Sequence, residues 1–243
     1  MTDARLRLGL PSKGRLRDAA QAWFAARGVT VRGTDEAREY AGAVEGVEGV
    51  DLVLLSASEI PRELAAGRLD LGVTGEDMVR EKIPDADARV ALLAPLGFGH
   101  ADLVLAVPDA WVDVETAADL DAVAGRHRAR TGRPLRIATK YHLLVRRHLR
   151  DRGVADCLLV DSQGATEGAV RNGAAEAIAD ITSSGDTLRA NRLRPLADGP
   201  ILRSEANLCL ARAGAGVERP ERAARLDRLA AALGLPRLAP PLI

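Results

Sequence analysis

The sequence predicts an α/β protein built as two lobes with a cleft between them. Apolar runs of strand length alternate with amphipathic helical stretches through short loops marked by Gly and Pro. That alternation occurs in two successive series of similar make-up. At 243 residues and 47% hydrophobic, the chain can bury one or two cores. Only 2% of residues are aromatic, so Leu, Val, Ile and Ala must fill those cores.

The first series opens with a strand at Leu6–Leu10 and a turn at Pro11-Ser12-Lys13-Gly14. A helix follows whose apolar positions Leu16, Ala19, Ala20, Trp23 and Phe24 share one face, and Gly28 closes it. Asp51–Leu55 reads as a buried strand, Ser58-Glu59-Ile60-Pro61 as a helix start, and Gly67 as its end. Leu71–Thr74 is the next strand, and Gly75-Glu76-Asp77 leads into another helix. The second series begins after Gly97-Phe98-Gly99: strand Leu103–Val107, helix 114–130, strand Leu135–Thr139 and a basic helix from Tyr141 to Arg152. It continues with strand Cys157–Val160, a short helix over 166–172 and strand Ala177–Ile181, and Ile201–Arg212 is strand-like again. The short loops imply parallel sheets. This gives lobe I as residues 1–96 and 188–212, lobe II as 97–187 and a helical tail as 213–243. The tail helix presents Ala223, Leu226, Leu229, Ala230 and Leu233, either to its own lobe or to a partner, and Pro236, Pro240 and Pro241 end regular structure.

Composition removes several function classes. Formal net charge is zero, 34 basic against 34 acidic residues, which argues against nucleic-acid binding by bulk electrostatics. Cys157 and Cys209 lie in apolar runs and read as buried reduced thiols. No signal-peptide pattern and no membrane-length apolar stretch is present, so the expectation is a soluble, cytoplasmic protein. Walker-type, G-x-G-x-x-G and G-x-S-x-G motifs are absent, and His100, His127, His142 and His148 lack metal-site spacing.

Three loops at strand ends suit anions. Residues 180–187, DITSSGDT, place Asp180 at a strand end and then Thr182, Ser183, Ser184, Gly185, Asp186 and Thr187. Hydroxyls and successive backbone N–H groups suit a phosphomonoester, whose oxygens only accept. A carboxylate suits the neighbouring hydroxyls of a ribose, so the implied ligand is a ribose 5-phosphate group. By composition alone the stretch reads equally as a Ser/Gly turn capping a helix. Lys13 and Arg15 flank Gly14 at a helix N-terminus, and Thr139-Lys140-Tyr141 follows a strand. Either loop suits a triphosphate or a pyrophosphate, or is a solvated loop end.

These stretches together resemble the ATP phosphoribosyltransferase family, the first enzymes of histidine biosynthesis. The resemblance runs in order through LPSKGRL (10–16), DLGVTGEDMVRE (70–81), LGFGHADLVLAVP (96–108), RIATKY (136–141) and ITSSGDTLRANRL (181–193). It implies lobes like those of type II periplasmic binding proteins, with the active site in the interlobe cleft. The reaction implied joins N1 of ATP to C1 of phosphoribosyl pyrophosphate and releases pyrophosphate, with Mg2+ carried mainly by the substrate phosphates. Only about 30 residues follow the last shared strand, which resembles the family's short form. That form implies a regulatory subunit related to histidyl-tRNA synthetase and assembly into homo- and hetero-oligomers.

By this resemblance, Lys13, Arg15 and Asp180 are the catalytic candidates. Glu176, Asp180 and Thr182, Ser183, Ser184, Gly185, Asp186 and Thr187 are candidates for phosphoribosyl pyrophosphate. Lys13, Gly14, Arg15, Asp77, Thr139, Lys140, Tyr141 and Glu167 are candidates for ATP. Four positions depart from the family pattern. Ser56 stands where many members carry arginine, Glu59 where they carry aspartate, His142 where they carry proline and Ser184 where they carry threonine. Ser56 removes a cation, so no ATP contact is assigned there. The alternative reading is a non-catalytic two-lobed small-molecule-binding protein, which an assay for the ATP adduct separates from an enzyme.

Overall fold

A computed structural model of the chain describes residues 5–33, 41–162, 164–212 and 220–236. It divides into two units, Met1–Gly99 with Glu205–Ile243, and His100–Ser204. The first begins with β1 (Leu6–Pro11), α1 (Arg15–Ala25), β2 (Thr30–Gly33), β3 (Ala41–Glu45) and β4 (Val50–Leu55). It goes on through α2 (Ile60–Ala65), β5 (Leu71–Gly75), α3 (Glu76–Lys82), α4 (Ala86–Arg89) and β6 (Val90–Pro95). The second holds β7 (Ala101–Pro108), α5 (Ala117–Thr131), β8 (Leu135–Thr139), α6 (His142–Asp151) and β9 (Cys157–Asp161). A 3₁₀ turn at Thr166–Gly168, β10 (Ala177–Thr182), α7 (Asp186–Ala190), β11 (Leu193–Pro195) and β12 (Leu202–Ser204) complete it. The chain then returns to the first unit with β13 (Ala206–Ala211) and α8 (Pro220–Ala232).

The first unit is a seven-stranded sheet in the order β2-β3-β4-β1-β5-β13-β6. Its centre, β4-β1-β5, is parallel, whereas β3 and β13 join antiparallel on either side. Leu6, Leu8, Leu10, Leu52, Leu71 and Val73 pack with Ala20 and Phe24 of α1. Leu226 and Leu229 of α8 and Leu233 just after it enter the same core, so the apolar face of the tail helix is covered by its own unit. Each such leucine contributes about 1.5–3 kcal/mol by leaving water. Arg222 of α8 fastens the helix further through Asp70, 2.7 Å away, whose other oxygen accepts the Arg7 N–H at 2.7 Å. Residues 213–219 and 237–243 of the expected tail, with Pro240 and Pro241, lie outside the described residues.

The second unit orders its strands β11-β7-β10-β8-β9, with β12 also on β7. Here β10-β8-β9 is parallel and β7 runs antiparallel to β10, so both sheets are mixed and not purely parallel. The lobe boundaries shift accordingly. Residues 188–204, expected in lobe I, belong to the second unit because β11 and β12 pair with β7. The strand-like run 201–212 is two strands in two different units. Glu205 secures the return between them: its carboxylate accepts the Gly97 N–H at 3.0 Å and its carbonyl accepts the Glu76 N–H at 3.1 Å.

Helix α5 starts at Ala117 and not at 114 because Thr116 caps it in a reciprocal capping box with Asp119. The short helix expected over 166–172 is only the single 3₁₀ turn. Among the described residues no helix is long and apolar enough to cross a membrane. Cys209 is fully buried, while Cys157 is only half-buried. Burial, then Asp121 and Asp156, pushes the Cys157 thiol up to about 11, and burial, then Glu76, pushes Cys209 up to about 12. Neither offers a thiolate at neutral pH.

Gly9 and Gly72 are neighbours in the parallel register of β1 and β5; Gly72 lets α2 sit close to the sheet, and Gly9 leaves room for Leu69. A Cβ on Gly72 would fall 2.6 Å from Ile60 Cγ2. We expect Gly72→Ala to lower the unfolding free energy by about 1–3 kcal/mol in urea titration. Gly125 lies in α5 with nothing within 4 Å of a built Cβ. Gly125→Ala should therefore raise stability by about 1 kcal/mol in the same titration.

Candidate functional site

In the second unit the parallel strands β10, β8 and β9 end at one edge, where Ala179 lies beside Thr139 and Thr139 beside Asp161. Ligands in open α/β sheets bind beyond such carboxyl ends. The residues one step further along, Asp180 and Lys140, meet at 3.2 Å. Asp180 is only 9% exposed. A carboxylate so enclosed needs a partner, because burying an unpaired charge is costly. Its Oδ1 takes both the Lys140 ammonium and, at 2.8 Å, the Ile181 N–H. Oδ2 is engaged by no other group among the described residues.

Beyond Asp180 the chain turns sharply. Gly185 adopts φ 75°, ψ 0°, the left-handed region open to glycine, and donates its N–H to Thr182 Oγ1 at 2.9 Å. The Ser184 hydroxyl donates to Asp186 at 2.6 Å. The Arg189 guanidinium donates to the Ser184 carbonyl at 3.0 Å and to the Asp186 carboxylate. The Ser184 hydroxyl first, and Arg189 second, hold the Asp186 carboxyl below the ordinary aspartate range. Asp186 is thus a prop of the turn, its carboxylate held by the Ser184 hydroxyl and the Arg189 guanidinium. Ser183 and Thr187 are exposed, and among the described residues their hydroxyls have no protein partner. A hollow of about 530 Å³ opens beside the turn, bounded by Thr182 to Gly185, Asp102, Val104 and Leu188.

Glu176 precedes β10, at the end of the strand opposite the turn, roughly 20 Å away at ~3.3 Å per residue. It grips Arg136 instead: Arg136 Nη2 donates to Oε1 at 2.7 Å, and the Arg136 backbone N–H to Oε2 at 2.8 Å. Burial raises the Glu176 carboxyl, but the hydrogen bonds from Arg136 outweigh it and leave the net value lowered. Thr139 is fully buried, and its hydroxyl accepts the Tyr141 N–H at 2.9 Å. Tyr141 is 1% exposed, so its ring lies in the interior, with Lys140 Nζ 5.5 Å from its centroid. Both residues flank Lys140 and are tucked into the interior. His142, the departure from proline, lies 3.2 Å from Asp161. Glu167 falls in the 3₁₀ turn after β9.

The first unit has its own edge of this kind. The parallel strands β4, β1 and β5 end together, which gathers the Ser12–Gly14 turn, the Ser56–Glu59 turn and Asp77 at the start of α3. Lys13, Gly14 and Arg15 are exposed at the N-terminus of α1, where unpaired backbone N–H groups favour anions. Among the described residues neither Lys13 nor Arg15 forms an ion pair. Asp77 is buried, so it lies under this edge and not on it. The departures at Ser56 and Glu59 are linked. Glu59 accepts the Ser56 N–H at 2.9 Å, and hydrogen bonds from Ser56 hold its carboxyl below the ordinary range.

Asp102 escaped the sequence reading. It is the cross-strand neighbour of Thr182, lines the same hollow, and has no partner among the described residues. Its signal was a carboxylate at the second position of an otherwise apolar strand, three residues after Gly99.

Comparison with known proteins places the chain in a family. The chain is 61% identical over 231 residues to the ATP phosphoribosyltransferase of Cereibacter sphaeroides, covering 95% of this chain and 97% of that one. Among solved structures it is similar to the ATP phosphoribosyl transferase (HisG:HisZ) complex from Thermotoga maritima, with a TM-score of 0.69 at 22% identity over 94% of this chain and 97% of that one. The arginine-bound form of a truncated ArgBP from T. maritima matches at a TM-score of 0.50 and 13% identity, over 95% of each chain. The fold is therefore the two-unit α/β architecture of type II periplasmic binding proteins. The family model of ATP phosphoribosyltransferase (HisG) matches residues 56–233. The chain belongs to the ATP phosphoribosyltransferase family of pentosyltransferases.

Proposed function

We propose that the chain catalyses the first step of histidine biosynthesis by transferring a phosphoribosyl group to ATP. N1 of the adenine attacks C1 of phosphoribosyl pyrophosphate with inversion, the C1–O bond breaks, and pyrophosphate leaves with the bonding pair. One observation carries this reading: a carboxylate with a free oxygen stands two residues before a hydroxyl-rich turn on a single strand. Asp180 Oδ2 accepts from the ribose hydroxyls, and the turn from Thr182 to Thr187 holds the 5-phosphate through Ser183, Thr187 and backbone N–H groups. Lys140 neutralises Asp180 beside the anionic substrate. Lys13 and Arg15 serve the phosphates of ATP and pyrophosphate.

The adenine N1 carries a free lone pair at neutral pH, so no strong base is needed. Positioning supplies ~7–11 kcal/mol of such a barrier, against a factor of about 10²–10⁴ for general acid–base help. Family members use a divalent metal. Mg2+ carried on the substrate pyrophosphate would supply charge neutralisation for the leaving group. The Thermotoga relative is a HisG:HisZ complex. By analogy this chain pairs with a regulatory subunit related to histidyl-tRNA synthetase.

Mixing ATP, phosphoribosyl pyrophosphate and Mg2+ should give the ultraviolet absorbance of the adduct, faster with the regulatory subunit added. No product with or without that subunit defeats the proposal. Asp180→Asn should raise KM for phosphoribosyl pyrophosphate about tenfold or more, the loss expected for a charged hydrogen bond. An unchanged KM would sink the ribose assignment. Glu176→Gln should leave that KM as it is and lower thermal stability. Because the folded Glu176 carboxyl lies below its ordinary 4.5, its contribution is present above that pH and lost as pH falls through the folded value. The gap in melting temperature between wild type and Glu176→Gln should close on that acid side.

A further inference from the structure

The second unit carries another hollow that the reaction leaves unused. It measures about 470 Å³ and lies between the segment 110–114, which follows β7, and one face of α5. Val123, Arg126, His127 and Arg130 line it at three- and four-residue spacing, which puts them on a single helical face. At its rim Val112 is 72% exposed, the most of any large hydrophobic residue among those described. Trp111, half-exposed beside it, is one of only two tryptophans in the chain.

This apolar tip is held rigidly. The Trp111 N–H donates to the Pro108 carbonyl at 2.9 Å, and its own carbonyl accepts from Arg194 Nη2 at 2.6 Å. The charges around it are unbalanced. Arg128, pointing off the lining face, pairs with Asp156 at 3.2 Å. Arg126 and Arg130, on that face, have no carboxylate partner among the described residues, and Asp113 is the one acidic residue of the lining. A preorganised Trp and Val beside unpaired arginines has the make-up of a protein interface, where aromatics and Arg are enriched. Two uncompensated guanidinium groups select an anionic occupant.

We infer that this hollow docks an acidic segment of a partner protein, its carboxylates on Arg126 and Arg130 and an adjacent apolar side chain against Val112 and Trp111. The partner is the regulatory subunit proposed above, and the inference rests on that reading. Titration of the purified chain with that subunit, by calorimetry at several salt concentrations, tests it. Affinity should fall with added salt, since exposed charge pairs are screened. The double variant Arg126→Glu/Arg130→Glu should bind about tenfold or more weakly and lose most of the salt dependence. Val112→Asp should also weaken binding without altering the activity or melting temperature of the chain alone. Val112→Ser gives a milder second variant if Asp perturbs folding. Wild-type affinity in both the double and the Val112 variants would overturn the docking assignment alone. Failure of the wild-type chain to bind the subunit would overturn the partner reading, and the docking surface with it. A change in the mass of the chain alone on Val112→Asp would assign the face to self-association and overturn the inference.

Discussion

The parallel register of β8 and β10 decides what stands at the ligand edge of the second unit. Because Ala179 lies beside Thr139, the next residue on each strand is a carboxylate and an ammonium, and they meet as Asp180 and Lys140. Strand side chains alternate between faces, so a one-residue slip would turn Asp180 to the other side and leave Lys140 unpartnered. The register is held by residues that do no chemistry. Ile137, Ala138, Ala177, Ile178 and Ala179 are buried in the strands themselves, and the Arg136–Glu176 grip clamps the far end. Only after this placement does the chain enter the turn at Ser183, with Thr182 and Gly185 closing it.

Much of this frame was legible in the sequence, because strands and helices announce themselves through apolar period and Gly and Pro punctuation. The central strands of both sheets and their loops fall close to where the pattern puts them. The edges do not. Strand β6 is only half-buried along most of its length, and β11 and β12 are three residues each, too short for a period to register. Strand direction is equally invisible locally. An antiparallel neighbour such as β7 or β13 has the same apolar run as a parallel one, so the sequence could not assign 188–204 to its unit.

The site residues divide for a related reason. Glu176 and Asp180 flank the same short apolar run and lie four residues apart, on one face of a strand by alternation. Residue type and period cannot tell them apart; only the direction of β10 separates the ligand edge from the opposite end. Thr139 and Tyr141 look like ligand residues because they flank Lys140. They are buried because a strand ending in a helix start must tuck its corner into the core, and the Thr139 hydroxyl satisfies the Tyr141 N–H there. Asp186 stands in an anion-suited loop, and its partner Arg189 lies three residues on, a pairing that helical spacing does make readable.

The basic residues proposed around the substrates are not equivalent, and their pairing sorts them. Lys140 is already matched by Asp180, so from a distance the pair presents little net field. Lys13 and Arg15 are exposed, unpaired and backed by the N-terminus of α1, so their positive potential reaches into solvent. In a chain with no net charge, attraction of two polyanionic substrates falls to such local sources. The proposed capture of substrate phosphates by Lys13 and Arg15 therefore carries a strong dependence on ionic strength. Lys140 acts at close range, offsetting the Asp180 carboxylate 3.2 Å away.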